Sequence, residues 1–408
     1  MKVLVVGVGC QGASCASILA RDKDTSEIVL GDIDLDLANK VKDKINSKKI
    51  TAVKLDAGRI EDIERAAKEV DVIINLVVPQ FNTNIMKAAL RSGTHYVDAA
   101  LSYPAMAQLT KREPLEMDSE FKKAGLTALI ACGGTPGLSD VLAKYACDKF
   151  DQLDSIRVRC SGEMRRKPKE EISAWDPGWS PKTALLDYAK EPIVFEGGEY
   201  KRYPPFSGRE EYDFVPFRKV LLVHHLHEEA AMLPYFIGKG LKYVDFKYPM
   251  DIQAGDLIQL GFASDKLIDV KGVKISPWDV LGKLVRSPAN DFFTEEAIAN
   301  SPVDFDKSFV IEVKGTKSGN AMEYTLSYPY PLFATTEERL ELFRKFGTFN
   351  VYVALPAIVG AKMCVRGKGS KGIIGPECLD PLEFLKEMSA MGCPVKVHEV
   401  LSKEASIA

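Results

Sequence analysis

The first thirty-six residues constrain the chain most. Lys2-Val3-Leu4-Val5-Val6 is a short β-branched run that stops at Gly7-Val8-Gly9-Cys10-Gln11-Gly12, and behind it Ala13, Cys15, Ala16, Ile18, Leu19 and Ala20 recur at helical spacing. A second apolar run, Ile28-Val29-Leu30, ends in Gly31-Asp32. A strand, a tight turn, a helix and a second strand closed by an acid form the arrangement that cradles a dinucleotide. Gly7 permits the turn, Gly9 leaves room for a pyrophosphate, and Gly12 brings helix and strand together. Amides near Cys10 and Gln11 then face the phosphates, with the helix dipole behind them. Asp32, with Ile33 beside it, is placed to accept hydrogen bonds from the adenosine ribose. Because Asp34 and Asp36 follow and no cation precedes Lys40, a 2′-phosphate would meet carboxylates, so NAD is expected over NADP. Arg59 is a cation with a route to that ribose from the third strand.

Further strands are expected at Ala52–Asp56, Val72–Val78, His95–Asp98 and Thr127–Ala131, separated by helical segments at 37–50, 60–70, 82–92 and 116–124. Their near-continuous apolar character is that of parallel strands covered on both faces. Asp56 and Ala57 are expected at the adenine, and Asn75, Val78 and Pro79 along the cofactor. The reading is a doubly wound parallel sheet of the Rossmann type over residues 1–131. Past the loop Cys132-Gly133-Gly134-Thr135-Pro136-Gly137, alternating runs such as Tyr243–Lys247, Phe309–Val313 and Ala321–Leu326 give a second, α+β domain on a mixed sheet, residues 132–365. A C-terminal segment, 366–408, opens on a glycine-rich hinge. In it Asp380 and Pro381 are the expected N-cap and first residue of a helix.

At 408 residues the chain exceeds one ordinary core. A formal charge of −3 argues against a general binder of nucleic acid or membrane surfaces, and no apolar run reaches the ~20 residues of a membrane span. Eight cysteines without a C-x-x-C pair read as free thiols in a reducing cytoplasm, with no zinc site.

Several stretches together resemble the saccharopine dehydrogenase-like family, the branch holding saccharopine reductase, lysine 6-dehydrogenase and carboxynorspermidine dehydrogenase. They are Gly7-x-Gly9-x-x-Gly12, Gly93-Thr94-His95-Tyr96-Val97-Asp98, Gly134-Thr135-Pro136-Gly137-Leu138, Trp179-Ser180-Pro181, His227-Glu228-Glu229 and Gly375-Pro376-Glu377-x-Leu379-Asp380-Pro381. Thr135 stands where the saccharopine reductase form has Asp. The resemblance implies reversible hydride transfer between NAD and a carbon bearing nitrogen, in an amino acid or its imine adduct. It also implies a tail folded back on the first domain and a homodimer formed through the second. Two other readings stay open: a polyamine dehydrogenase of the carboxynorspermidine type, with Glu163, Glu170, Glu171 and Asp176 as an acidic pocket, and a cofactor-bound sensor or assembly protein without turnover.

The reacting ring should lie over the carboxyl ends of the strands. Ser102 and Tyr103 follow the fifth strand, Tyr103 as proton donor or aromatic wall. Thr135, Pro136 and Gly137 offer amides and a hydroxyl to a substrate carboxylate at the start of the next helix. His227, beside His224, His225, Glu228 and Glu229, is the candidate acid/base, because imidazole titrates near neutral pH. Lys182 and Arg202 are candidate charge partners for substrate carboxylates. No metal is expected, since hydride transfer needs none.

Overall fold

The computed structural model describes residues 1–166, 175, 177, 180–214, 218–285, 294–300, 303–330 and 335–404. In chain order the strands begin with β1 (Lys2–Val6), β2 (Glu27–Asp32), β3 (Ile50–Lys54), β4 (Val72–Asn75), β5 (His95–Asp98) and β6 (Thr127–Leu129). Next come β7 (Gln152–Arg166), β8 (Ile193–Glu196), β9 (Glu199–Arg202), β10 (Glu210–Phe214), β11 (Arg218–His224) and β12 (Tyr243–Pro249). The last are the hairpin β13 (Ile268–Val270) and β14 (Val273–Ile275), then β15 (Val303–Lys317), β16 (Asn320–Tyr330), β17 (Gly372–Ile374) and β18 (His398–Lys403).

Among the described residues the first sheet has the order β17-β6-β5-β4-β1-β2-β3, and every pairing in it is parallel. The order reverses at β1, which places the ligand crevice at its carboxyl end. Two strands are shorter than their apolar runs. Strand β4 stops at Asn75 because Leu76 and Val77 turn across the glycine loop, where a Cβ on Gly7 would lie 2.5 Å from Val77 Cγ1. Strand β6 stops at Leu129 because Ala131 takes a left-handed φ of 54° and donates its N–H to Asp98 Oδ1 at 2.6 Å. The third strand lies two residues before its expected position, at Ile50–Lys54.

The second sheet runs β10-β11-β12-β7-β15-β16-β18, with β8 and β9 added beside β12. It is mixed, since β12 pairs parallel with β7 and the other pairings are antiparallel. The C-terminal part serves both sheets. Helix Val351–Val365, buried along nearly its whole length, packs against helix Cys10–Arg21 and strands β4, β5 and β6. Strand β17 then extends the first sheet and β18 the second. The return to the first domain therefore starts at Val351, ahead of the glycine-rich hinge. Helix Pro381–Ala390 is capped by Asp380, which accepts from Glu383 N at 2.8 Å.

Candidate active site

The glycine loop has the shape its residues imply. Gly7 sits at φ 88°, and a Cβ on Gly12 would fall 1.8 Å from the Gly7 carbonyl oxygen. A Cβ on Gly9 would meet nothing within 4 Å, so an open cradle lies at the start of helix Cys10–Arg21, whose first turn no side chain caps. Asp32 Oδ2 accepts from Val8 N at 2.6 Å and Oδ1 from Asp34 N at 2.9 Å. These bonds tie the acid at the end of β2 to the loop. Ile33 and Val78 are exposed, and Pro79 opens a short turn next to Val78. Asp56 Oδ1 accepts from Gly58 N at 2.8 Å, and Ala57 is buried beside it. Asn350 donates to Cys10 Sγ at 3.0 Å, and Gln11 presents a buried side-chain oxygen with no hydrogen-bond partner among the described residues. Uncapped amides, an open cradle and an acid at the second strand fit a dinucleotide.

Asn75 departs from the expectation that it meets the cofactor. It is buried, and its amide donates to Asn82 Oδ1 at 2.8 Å and to the Tyr96 hydroxyl at 2.9 Å. The Tyr96 hydroxyl and Asn82 Nδ2 donate to Asp98 Oδ2 at 2.8 and 3.1 Å. This network joins the ends of β4 and β5, and the Asp98–Ala131 bond ties it to the segment after β6. Burial pushes the Asp98 carboxyl up to about 7, against the hydrogen bonds it accepts. Sequence reasoning assigned no site role to Asn82 or Tyr96, although Tyr96 lies within the Gly93–Asp98 stretch; an Asn opening a helix carries no motif.

Above this network the second domain supplies an acidic group. Leu101 N donates to Glu228 Oε1 at 3.2 Å, tying the loop after β5 to the segment after β11. His227 Nδ1 is in hydrogen-bond contact with Glu229 Oε2 and lies 3.5 Å from Glu228 Oε2, while its ring stacks on Phe246 at 4.1 Å and 11°. Burial opposes the imidazolium, but Glu229, then Glu228 and Asp187, raise His227 to about 9. His227 is thus held cationic at neutral pH and does not titrate there as a free imidazole does. His225 is the opposite case: burial and the neighbouring His227 charge push it down to about 3. Ligand atoms of His227, Glu228 and Glu229 lie within 4.8 Å of one another, close enough for a metal ion to bridge. The imidazolium already supplies positive charge between those carboxylates.

Tyr103 opens helix Tyr103–Thr110 half-exposed, with Lys190 Nζ 5.9 Å from its ring centre. Burial, with Asp187 and Glu228 nearby, keeps its phenol protonated. The structure therefore gathers Tyr103, Asp187, His227 and Glu228 at one mouth. Ser102, expected at the substrate, caps the Tyr103 helix by accepting from Ala105 N at 3.3 Å. The amides expected to serve a substrate carboxylate are occupied within their own loop. Gly137 N donates to Asp140 Oδ2, Leu138 N to the Gly133 carbonyl and Ser139 N to the Gly134 carbonyl. Thr135 and Pro136 shape the turn before Gly137, which sits at φ 122°. Lys182 pairs with Asp279 and lies over Trp278, and the exposed Arg202 reaches the Glu191 carbonyl, so both are engaged away from the acidic group. Glu163 lies on β7. Trp179, Glu170, Glu171 and Asp176 lie outside the described residues.

Comparison with known proteins gives two family models in tandem: the saccharopine dehydrogenase NADP binding domain over residues 3–129 and the saccharopine dehydrogenase C-terminal domain over residues 133–393. Carboxyaminopropylagmatine dehydrogenase of Synechocystis sp. is 24% identical over 98% of each chain. Carboxynorspermidine synthase of Vibrio cholerae is 26% identical over 98% of this chain and 97% of that one. Among solved structures, saccharopine dehydrogenase (L-Glu forming) from Saccharomyces cerevisiae superposes with a TM-score of 0.68, covering 98% and 99% of the two chains at 16% identity.

Proposed function

The chain belongs to the saccharopine dehydrogenase family, and on that premise we propose that it is a pyridine-nucleotide oxidoreductase acting at the C–N bond of an adduct between an amino acid and a polyamine-type base. The observation that carries this is the acidic mouth: Glu228 is bonded to Leu101 N in the loop after β5, Asp187 and Glu228 lie near the Tyr103 phenol, and His227 sits between Glu228 and the buried Glu229. Such a site suits a substrate with a protonated amine beyond the reacting nitrogen. The two end-to-end relatives named above carry a polyamine or agmatine in their names, which supports the same reading.

When bound, the nicotinamide supplies or accepts the hydride. Burial raises the Asp187 and Glu228 carboxyls, and a protonated amine arriving between them favours their charged forms, so the two hold the cationic arm. The Tyr103 phenol, kept protonated, orients the reacting nitrogen through a hydrogen bond. With Nδ1 held by Glu229, His227 presents Nε2 to the cleft. From there it protonates the departing hydroxyl as a carbinolamine collapses to the imine, and takes the proton back in the reverse direction.

The test is consumption of reduced cofactor with amino-acid aldehydes paired with diamines or guanidino-amines, run beside oxidation of L-lysine and saccharopine. Turnover is expected with the amine pairs, and kcat/KM falls about tenfold or more when the distal cationic group becomes a methyl, as loss of a charged hydrogen bond worth ~1.5–3 kcal/mol requires. Turnover confined to lysine or saccharopine overturns the reading.

For the cofactor our reading is NAD, although the matched first-domain model is named for NADP. Its support is Asp32, fixed by two backbone amides, with the Asp34 carboxylate capping helix Leu35–Ile45 two residues on. Ile33→Arg, at a side chain 65% exposed, gives an incoming 2′-phosphate a partner without disturbing the core. It should raise kcat/KM for NADP about tenfold or more and leave NAD nearly unchanged, since a charge-assisted bond contributes ~1.5–3 kcal/mol. A wild-type preference for NADP sinks the NAD assignment.

A further inference from the structure

Behind His227, the Glu229 carboxylate that holds its Nδ1 leads into a line of polar groups that the proposed reaction has not used. Glu229, Ser139, Asp140 and Glu377 are 0, 2, 0 and 1% exposed. Glu229 holds His227 Nδ1 with one carboxylate oxygen and accepts the Ser139 hydroxyl with the other at 2.7 Å. Ser139 Oγ lies 3.1 Å from Asp140 Oδ2, the oxygen that also accepts Gly137 N at 2.7 Å. The other Asp140 oxygen and both Glu377 oxygens meet no donor among the described residues, and the two carboxyls face each other. Charging both of two buried carboxylates in contact is strongly unfavourable, so at rest one proton between them is the donor each lacks. Glu377 is brought there by the returning tail. Its turn, Pro376–Cys378, packs on helix Leu138–Cys147, and a Cβ on Gly375 would lie 2.2 Å from Glu377 Oε2.

We propose that the Asp140–Glu377 pair is a proton store, connected through the Ser139 hydroxyl and Glu229 to His227 at the cleft. The transfer conserves protons at every hop. His227 Nε2 gives its proton to the substrate and keeps the Nδ1 proton shared with Glu229 Oε2. The Ser139 hydroxyl proton then moves to Glu229 Oε1, and Ser139 Oγ takes the pair's proton from the Asp140 carboxyl, which turns over to bring it from the Glu377 side. The imidazole and Glu229 together thus regain the proton they lost. The pair is left as two carboxylates until the return transfer. Glu229, the Cys132 and Cys378 thiols and the Tyr200 phenol face the pair, and Glu228, Asp187 and His225 face His227. Burial, then repulsion from Glu377 and from Glu229, raises Asp140 well above the usual carboxyl range, and burial pushes Glu377 up to about 7. Use of the store during turnover rests on the function proposed above; its existence and its connection to solvent do not.

Infrared spectroscopy of the full chain without substrate is therefore the test. Because Asp98 is also partly protonated near neutral pH, the store is read in difference spectra: a protonated-carboxyl band is expected that the wild type and Ser139→Ala share and that Asp140→Asn and Glu377→Gln lack. On mixing into D2O that band shifts quickly in the wild type. In Ser139→Ala the shift slows about tenfold or more, because exchange then waits on local opening of the fold, and Ser139→Thr restores it. Absence of the band removes the store. Exchange as fast in Ser139→Ala as in the wild type removes the connection.

Discussion

His227→Gln lowers kcat by about 10²- to 10⁴-fold, the usual contribution of a positioned acid/base group. The amide can still donate to Glu229, so the folded protein and its cofactor affinity should survive while the transferable proton is lost. The wild-type rate should hold through neutral pH and fall as pH rises through about 9, where the imidazolium set by Glu229 and Glu228 is lost. The same shift acts on stability. The folded value lies above the ordinary histidine value, so this contribution is complete below about 6.5 and disappears as pH climbs through about 9. Rates at saturating substrates, measured across that range for both proteins, decide the matter. A Gln variant that keeps the alkaline limb would assign it to another group and leave His227 a structural cation.

Much of the first domain was legible because its strands are buried on both faces. Val3–Val6 and Val72–Ile74 form unbroken apolar runs of strand length, and the glycines between them admit one kind of turn. Helix Val351–Val365 was not legible for a related reason. Apart from Lys362 it is apolar on every side because it is buried on every side, so it has no amphipathic face, and Pro356 inside it reads as a breaker. Strand β17 spans only Gly372–Ile374, too short for alternation to register. At the site, the acids of the mouth were visible as a His227-Glu228-Glu229 run, but their partners are distant in sequence. Glu229 meets Ser139 across ninety positions, and Glu377 arrives from the tail. Such pairings follow from how the domains dock, which no local spacing encodes. Lys182 and Arg202 misled because a cation near a motif reads as a substrate partner until a closer carboxylate or carbonyl is seen to claim it.

Lys362→Met destabilises the first domain by about 3 kcal/mol, the low end of the ~3–5 kcal/mol that follows when one member of a buried ion pair is removed. Lys362 is 4% exposed on the buried helix Val351–Val365 and reaches Asp22 Oδ1 at 3.1 Å, Asp24 Oδ2 at 3.0 Å and Glu387 Oε1 at 2.8 Å. One ammonium thus ties the end of helix Cys10–Arg21 to helix Pro381–Ala390. Without it the Asp22 side chain, 8% exposed, loses the ammonium bonded to its Oδ1 and keeps the Thr25 hydroxyl on Oδ2 at 2.7 Å, while Arg366 continues to serve Asp24 and Glu387. That residual partner is why the low end of the range applies, and Asp22→Asn added to Lys362→Met should recover part of the loss. The pH dependence gives an independent check. Hydrogen bonds from Lys362 hold Asp24 below its ordinary value, and against burial Lys362 and Arg366 do the same for Glu387. Depressed carboxylates contribute stability above their ordinary range and lose it as pH falls through the lowered values. The urea midpoint of Lys362→Met should therefore lie well below that of the wild type at neutral pH, and the gap should narrow in acid. A gap of constant size would mean that the lysine acts through its packed methylenes and not through its charge.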